Sequence, residues 1–208
     1  MRRVLITAGA TRNPVDAMRY LSANSSGNTG LWLAEQLLAQ GCEVWVLGSV
    51  EARLRGPDLP GESFGSTRDL MAKMQRRVQA HPGSVVVHAA AVGDYEVCDP
   101  PGKHPSGQNE LVLRLTPTPK IIDHLKVWDP SLTLVSFKAA PPDTSGADLE
   151  QIADAQRART GSALVFANVL RRLGTDVLLL DASARRWFDG RQAALDALQE
   201  AVLGYARA

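Results

Sequence analysis

The stretch VLITAGATRNPVDAMRYLSANSSGNTGLWLAEQLLAQG, residues 4–41, decides the fold. Residues 4–7 read as a short strand that is apolar on both faces, the pattern of a strand buried inside a parallel sheet. From about residue 29 to 40, Leu31, Leu33, Ala34, Leu37 and Leu38 recur at helical spacing, and Gly41 closes the helix. Between strand and helix lies a long polar loop from Gly9 to about Asn28, where a tight turn would be expected.

Reading outward, residues 43–47 form a second strand, and 84–89 (SVVVHA) a third. Residues 51–66 are rich in Gly, Pro and Arg and read as a surface connection. A helix follows over 67–80, stopped at His81-Pro82-Gly83. Strands alternating with helices predict an α/β fold, a doubly wound, Rossmann-like parallel sheet. Residues 96–109, with three prolines and two glycines, read as a mobile loop. Residues 110–115 (ELVLRL) alternate with period two, as a strand with one buried face does. Further elements are expected as a helix over 119–128, a strand over 133–137, a helix over 147–159 and a strand over 163–167. A hairpin over 175–180 and 185–188 and a last helix over 191–205 complete the chain. Residues 1–208 thus read as a single domain with an extended hairpin or loop insertion at about 96–116.

Composition narrows the function. The net charge of +1 offers no global attraction to nucleic acid or to a membrane surface. Two cysteines without a CxxC pair, and four scattered histidines, predict neither a disulfide scaffold nor a structural metal. No long apolar segment or cleavage signal follows Met1, so a cytoplasmic protein is expected.

In an open parallel sheet, ligands bind where the loops leave the carboxyl ends of the strands. Three such loops carry unusual residues. In the first, Gly9 allows close backbone approach. Ser25, Ser26 and Gly27, with Gly30, open a helix, an arrangement that serves equally as a phosphate cradle or as a plain N-cap. A dinucleotide fingerprint is absent: there is no GxGxxG, and the second strand ends in Leu47-Gly48-Ser49 without an acidic ribose partner. In the second loop, HAAAVGDY, residues 88–95, the small residues Ala89, Ala90 and Ala91 can lie under a base or pack under a helix. Asp94 can accept a ribose hydroxyl, hold a metal ion or cap a helix. His88 reads as a satisfied, half-buried histidine. The third carries Lys103, one of only five lysines, four of which fall within residues 103–138. A mobile point charge suits a polyphosphate, although ordinary surface lysines look the same. A short-chain reductase is excluded, because no tyrosine is followed by lysine four residues on.

The ordered set ITAGATRNPVDAMRYLSANSSGNTG, HAAAVGDY and KHPSGQNELVLRLTPTPKIIDHL, followed by SFKAA (136–140) and LVFAN (164–168), resembles the phosphopantothenate–cysteine ligase family, in its stand-alone type. The resemblance covers roughly residues 3–205. It implies a ligase of coenzyme A biosynthesis that joins 4′-phosphopantothenate to cysteine, using CTP or ATP with Mg2+. By resemblance, Lys103 neutralises the triphosphate and Asp94 and Ala89–Ala91 border the nucleotide. Ser25, Ser26 and Gly27 cradle phosphate, Thr116, Pro119 and Phe137 wall the base, and Arg19, Ala91 and Asn168 face the substrate. The resemblance also implies a homodimer in which the hairpin at 96–115 crosses to its partner.

Five positions depart from the family pattern. Ala23 replaces the asparagine that handles the acyl-nucleotide, and Asn24 lies one position later as its candidate substitute. Ala10 replaces a glycine, Ala155 and Arg159 replace a lysine pair, and Val169 replaces an aspartate. These departures raise an alternative: a diverged relative that binds nucleotide but is catalytically impaired or regulatory.

Overall fold

A computed structural model describes residues 1–98, 102, 107 and 109–208. Strand β1 (Val4–Ala8) is followed by a small antiparallel pair, β2 (Arg12–Pro14) and β3 (Tyr20–Ser22), and then by helix α1 (Asn28–Ala39). Next come β4 (Val44–Ser49), α2 (Val50–Arg55), β5 (Gly61–Phe64), α3 (Thr67–Ala80) and β6 (Val85–His88). A second small pair, β7 (Tyr95–Val97) and β8 (Leu115–Pro117), precedes α4 (Ile121–Trp128) and β9 (Thr133–Ala140). The chain ends with α5 (Gly146–Thr160), β10 (Leu164–Val169), β11 (Val177–Leu180), β12 (Arg185–Phe188) and α6 (Arg191–Arg207).

The main sheet runs β12, β11, β10, β9, β6, β1, β4, β5. The six strands from β10 to β5 are parallel, and β11 and β12 add an antiparallel end. Strand order reverses about β1, which starts at the centre and sends the chain first toward β4 and β5, then back to β6, so the topology is doubly wound. Alternate residues of each central strand face opposite layers. Val4, Ile6, Val85 and Phe166 pack under α1 and α6, whereas Leu5, Leu47, Val86 and Leu134 pack under α3 and α4. On α5's side, Val165, Ala167 and Leu178 form the remaining core.

Three expectations need correction. The supposed connection over 51–66 contains α2 and β5; each is short and interrupts its apolar residues with charged or polar ones, so no apolar run announced them. The long loop after β1 folds back on itself as β2 and β3. Residues 110–114 form no strand, and pairing starts only at Leu115. A period-two pattern becomes a strand when a core takes up its apolar face. Here Val112 is 78% exposed, and nothing among the described residues covers it.

Candidate functional site

Two glycines bring the loops together beyond the carboxyl end of β1. Gly9 (φ 94°) and Gly27 (φ 80°) both take left-handed backbone that favours glycine. A Cβ on Gly27 would lie 2.7 Å from the Gly9 nitrogen, and one on Gly9 would lie 2.3 Å from Ser49 Oγ. Backbone therefore packs directly on backbone where β1, β4 and α1 meet. Gly27 caps α1, whose first turn holds no acidic residue, so the positive helix end is left without a neutralising carboxylate from its own turn. Above this junction lies a cleft of about 330 Å³, lined by Arg12, Ser22, Ala23, Asn24, Ser25 and Ser26 together with Glu51 and Arg55.

Seven hydrogen bonds clasp this loop, the HAAAVGDY loop and the segments before α3 and α4 together. Thr11 N–H donates to Ala91 O (3.1 Å), and Ala91 N–H to Gly9 O (2.8 Å). The Thr11 hydroxyl accepts from Gly93 N–H (2.8 Å) and from the Thr67 hydroxyl (3.0 Å). Asn13 accepts from Thr67 N–H (2.9 Å) and donates to Tyr95 O (2.8 Å). Thr118 donates to Gly93 O (2.7 Å), which ties the segment before α4 to the same point.

The residues singled out from sequence fall into separate groups. Asn24, Ser25 and Ser26 line the cleft, and Gly9 and Gly27 form its junction with β1. Ala89, Ala90 and Ala91 follow β6, where Ala90 N–H donates to the Thr7 hydroxyl (3.0 Å). The exposed Asp94 carboxylate pairs with Lys120 (2.5 Å), the residue after the half-buried Pro119. Thr116 belongs to β8, with its hydroxyl 3.1 Å from Cys98 Sγ. Phe137 stacks on Phe166 at 5.0 Å, and buried Asn168 lies two residues further along the same strand as Phe166. Arg19 sits in the β2–β3 turn and grips the buried Asp16 carboxylate through two nitrogens (2.6 and 3.0 Å). Arg19 does not line the cleft. Lys103 lies outside the described residues.

Two cations escaped the sequence reading. Arg55, on the unrecognised α2, donates to Ser26 O (2.6 Å) at the cleft wall. Arg191 opens α6, donates to the Thr29 hydroxyl in the first turn of α1 (2.8 Å), and lies 5.6 Å over the Phe166 ring. Burial lowers the pKa of its guanidinium. A cation in the first turn opposes the helix dipole, so Arg191 had a legible signal: α6 gains nothing from it locally. Among the described residues, no group of three or more His, Cys, Asp and Glu side chains could hold a metal ion.

His88 is fully buried, not half-buried as expected, because β1 and β9 flank it on both sides. Its Nδ1 lies 3.0 Å from the Thr7 hydroxyl, and burial pushes its pKa down to about 4. The unfolded chain takes up a proton near pH 6.5 that the folded chain refuses until about pH 4. Stability is therefore unaffected above pH 6.5 and falls as pH drops through that window. Urea unfolding should show a loss of about 2 kcal/mol from this group between pH 7.5 and 5.0. His88→Asn should flatten the slope by that amount; parallel curves for the two proteins would refute the assignment.

A doubly wound sheet whose carboxyl edge joins a glycine-capped helix, two guanidinium groups and a polar cleft defines a Rossmann-like α/β domain suited to an anionic ligand. The family described as DNA/pantothenate metabolism flavoprotein C-terminal domain (DFP) matches residues 1–186. The bifunctional coenzyme A biosynthesis protein CoaBC of Thermococcus kodakarensis is 37% identical over 178 residues, which cover 84% of this chain and 43% of that protein. The chain thus spans less than half the length of this curated relative. Among solved structures, the DNA/pantothenate metabolism flavoprotein of Streptococcus pneumoniae superposes with a TM-score of 0.85 at 26% identity, over 99% of this chain and 100% of that one. A Cab2 mutant in complex with phosphopantothenate-cysteine shares the fold, with a TM-score of 0.78 at 18% identity over 100% of this chain and 89% of that one. The chain belongs to the DFP family.

Proposed function

We propose that this chain forms the amide between 4′-phosphopantothenate and cysteine through an acyl-nucleotide, in coenzyme A biosynthesis. The carrying observation is the Ser25–Gly27 turn, seated on Gly9 at the head of α1 with Arg55 beside it. Backbone amides, hydroxyls and a helix end are there within reach of a phosphate group. The names of its relatives support the same chemistry.

A free carboxylate is a poor electrophile, so the substrate carboxylate first attacks the α-phosphorus of CTP or ATP and releases pyrophosphate. The cysteine amine then attacks the acyl carbon and expels the nucleoside monophosphate. The donors around Ser26 hold phosphate oxygens, and Asp94 and Lys120 border the nucleotide side. Magnesium would be carried on the triphosphate oxygens, in keeping with the ion's preference for phosphate and water over an all-protein cage. Exposed Tyr95, Leu111, Val112 and Leu115, on or next to the β7–β8 arm, support the homodimer reading.

Ala23 favours a second reading. It lines the cleft with a methyl group where the family carries an amide, so activation without amide formation is the specific alternative. Incubation with phosphopantothenate, cysteine and either triphosphate, with pyrophosphate and amide followed separately, distinguishes the two. We expect both products. Asn24→Ala should leave pyrophosphate release intact and slow amide formation about tenfold, the effect of one lost hydrogen bond. Pyrophosphate without amide in the unmodified protein would mean that only activation survives, and neither product would favour the non-catalytic, regulatory relative.

A further inference from the structure

The first turns of α1 and α6 meet through Arg191. Its Nη2 donates to the Thr29 hydroxyl (2.8 Å) and its Nη1 to the Leu173 carbonyl (3.2 Å), while its backbone N–H donates to Gly174 O (3.0 Å). All three acceptors are neutral. Among the described residues no carboxylate forms an ion pair with this guanidinium, and that includes Asp189, two positions earlier. The Nε N–H has no partner among the described residues and keeps contact with solvent.

Neither α1 nor α6 carries an acidic residue in its first turn. Two positive helix ends and a half-buried cation therefore converge with no described negative group to offset them. A partly desolvated charge without a counter-ion is costly, and burial lowers the pKa of Arg191 with no carboxylate raising it. Such an excess is relieved when an anion binds there. The Ser25–Gly27 turn stands at this same helix head, with Thr29 two residues beyond Gly27.

We propose that Arg191 is a further binding residue of the ligase site, and that the triphosphate of CTP or ATP is its counter-ion. The inference rests on the reading of the chain as a nucleotide-dependent ligase. Phosphate oxygens at the head of α1 pair with the guanidinium, which Thr29 and the Leu173 carbonyl hold in place. The competing role is purely structural: Arg191 lies 5.6 Å over the Phe166 ring, which in turn stacks on Phe137.

Calorimetric titration of the full chain with CTP and with ATP, each with Mg2+, tests the assignment. The parent should bind at least one of them. Arg191→Gln should bind the same nucleotide about tenfold more weakly, as loss of one charge-assisted contact implies. Arg191→Lys keeps the charge and should recover most of that loss. Added NaCl should narrow the gap between the parent and Arg191→Gln, because salt screens a charge contact and leaves a packing defect untouched. If the parent binds neither triphosphate, the nucleotide-dependent reading falls and this assignment with it. If the parent binds and Arg191→Gln matches it, the assignment alone fails. A loss that lysine does not relieve, or that salt leaves unchanged, makes Arg191 a structural support for Phe166 and likewise overturns the assignment.

Discussion

Gly27→Ala should unfold about 3 kcal/mol more easily than the parent and lose nucleotide-dependent pyrophosphate release almost completely. Two costs add. A side chain at φ 80° is strained by about 1–3 kcal/mol. The new methyl would also sit 2.7 Å from the Gly9 nitrogen and 3.1 Å from the Ala52 Cβ. Neither neighbour yields cheaply, because Gly9 belongs to backbone and Ala52 is buried in the turn that Ser49 caps. Overpacking of this kind costs about 1–3 kcal/mol. The remedy open to the chain is to lift the Ser25–Gly27 turn off β1, which moves the phosphate donors away from the cleft. Thermal melts should show a fall of roughly 10 °C for a chain of this length. A variant that melts and turns over like the parent would show that the glycine junction has no part in the site.

Asn13→Ala tests the other half of the clasp. Its amide oxygen takes the Thr67 N–H at the head of α3, and its amide nitrogen serves the Tyr95 carbonyl. Removal strands two polar groups in a position where Asn13 is only 1% exposed. Each costs about 1–3 kcal/mol when left unpaired, so about 3 kcal/mol in total is expected. The loop that carries Asp94 then loses its tie to β2, and the apparent affinity for triphosphate should fall alongside stability. Asn13→Asp offers a control, because it keeps the acceptor for Thr67 while losing the donor to Tyr95. It should recover part of the stability and little of the affinity. Equal affinity in all three proteins, measured by calorimetry with CTP and with ATP, would detach the clasp from nucleotide binding.

The central strands, α1, α3, α5 and the terminal hairpin were all legible from pattern, because each places apolar residues at a fixed period against a core. The elements that escaped, α2, β2, β3, β5 and β7, are three to six residues long and too short to show a sustained apolar period. The interactions that fix them come from elsewhere in the chain: Ser49 caps α2, and Gly65 O accepts from Arg12 N–H beside β2. For the same reason the alternation of residues 110–115 misled, since a period of two announces a strand only where something lies opposite it.

Sequence alone determined the alternation of strands and helices, the place of the long loop after β1 and the ordered motifs that mark the family, because each is written in contiguous residues. Tertiary structure alone decided that Arg55 and Arg191 flank the head of α1 and that Thr11, Asn13, Thr67 and Thr118 bind two loops into one edge. Those contacts join positions from 25 to 162 residues apart. Their geometry depends on how the sheet twists and which helices cover it, and no local period carries that information.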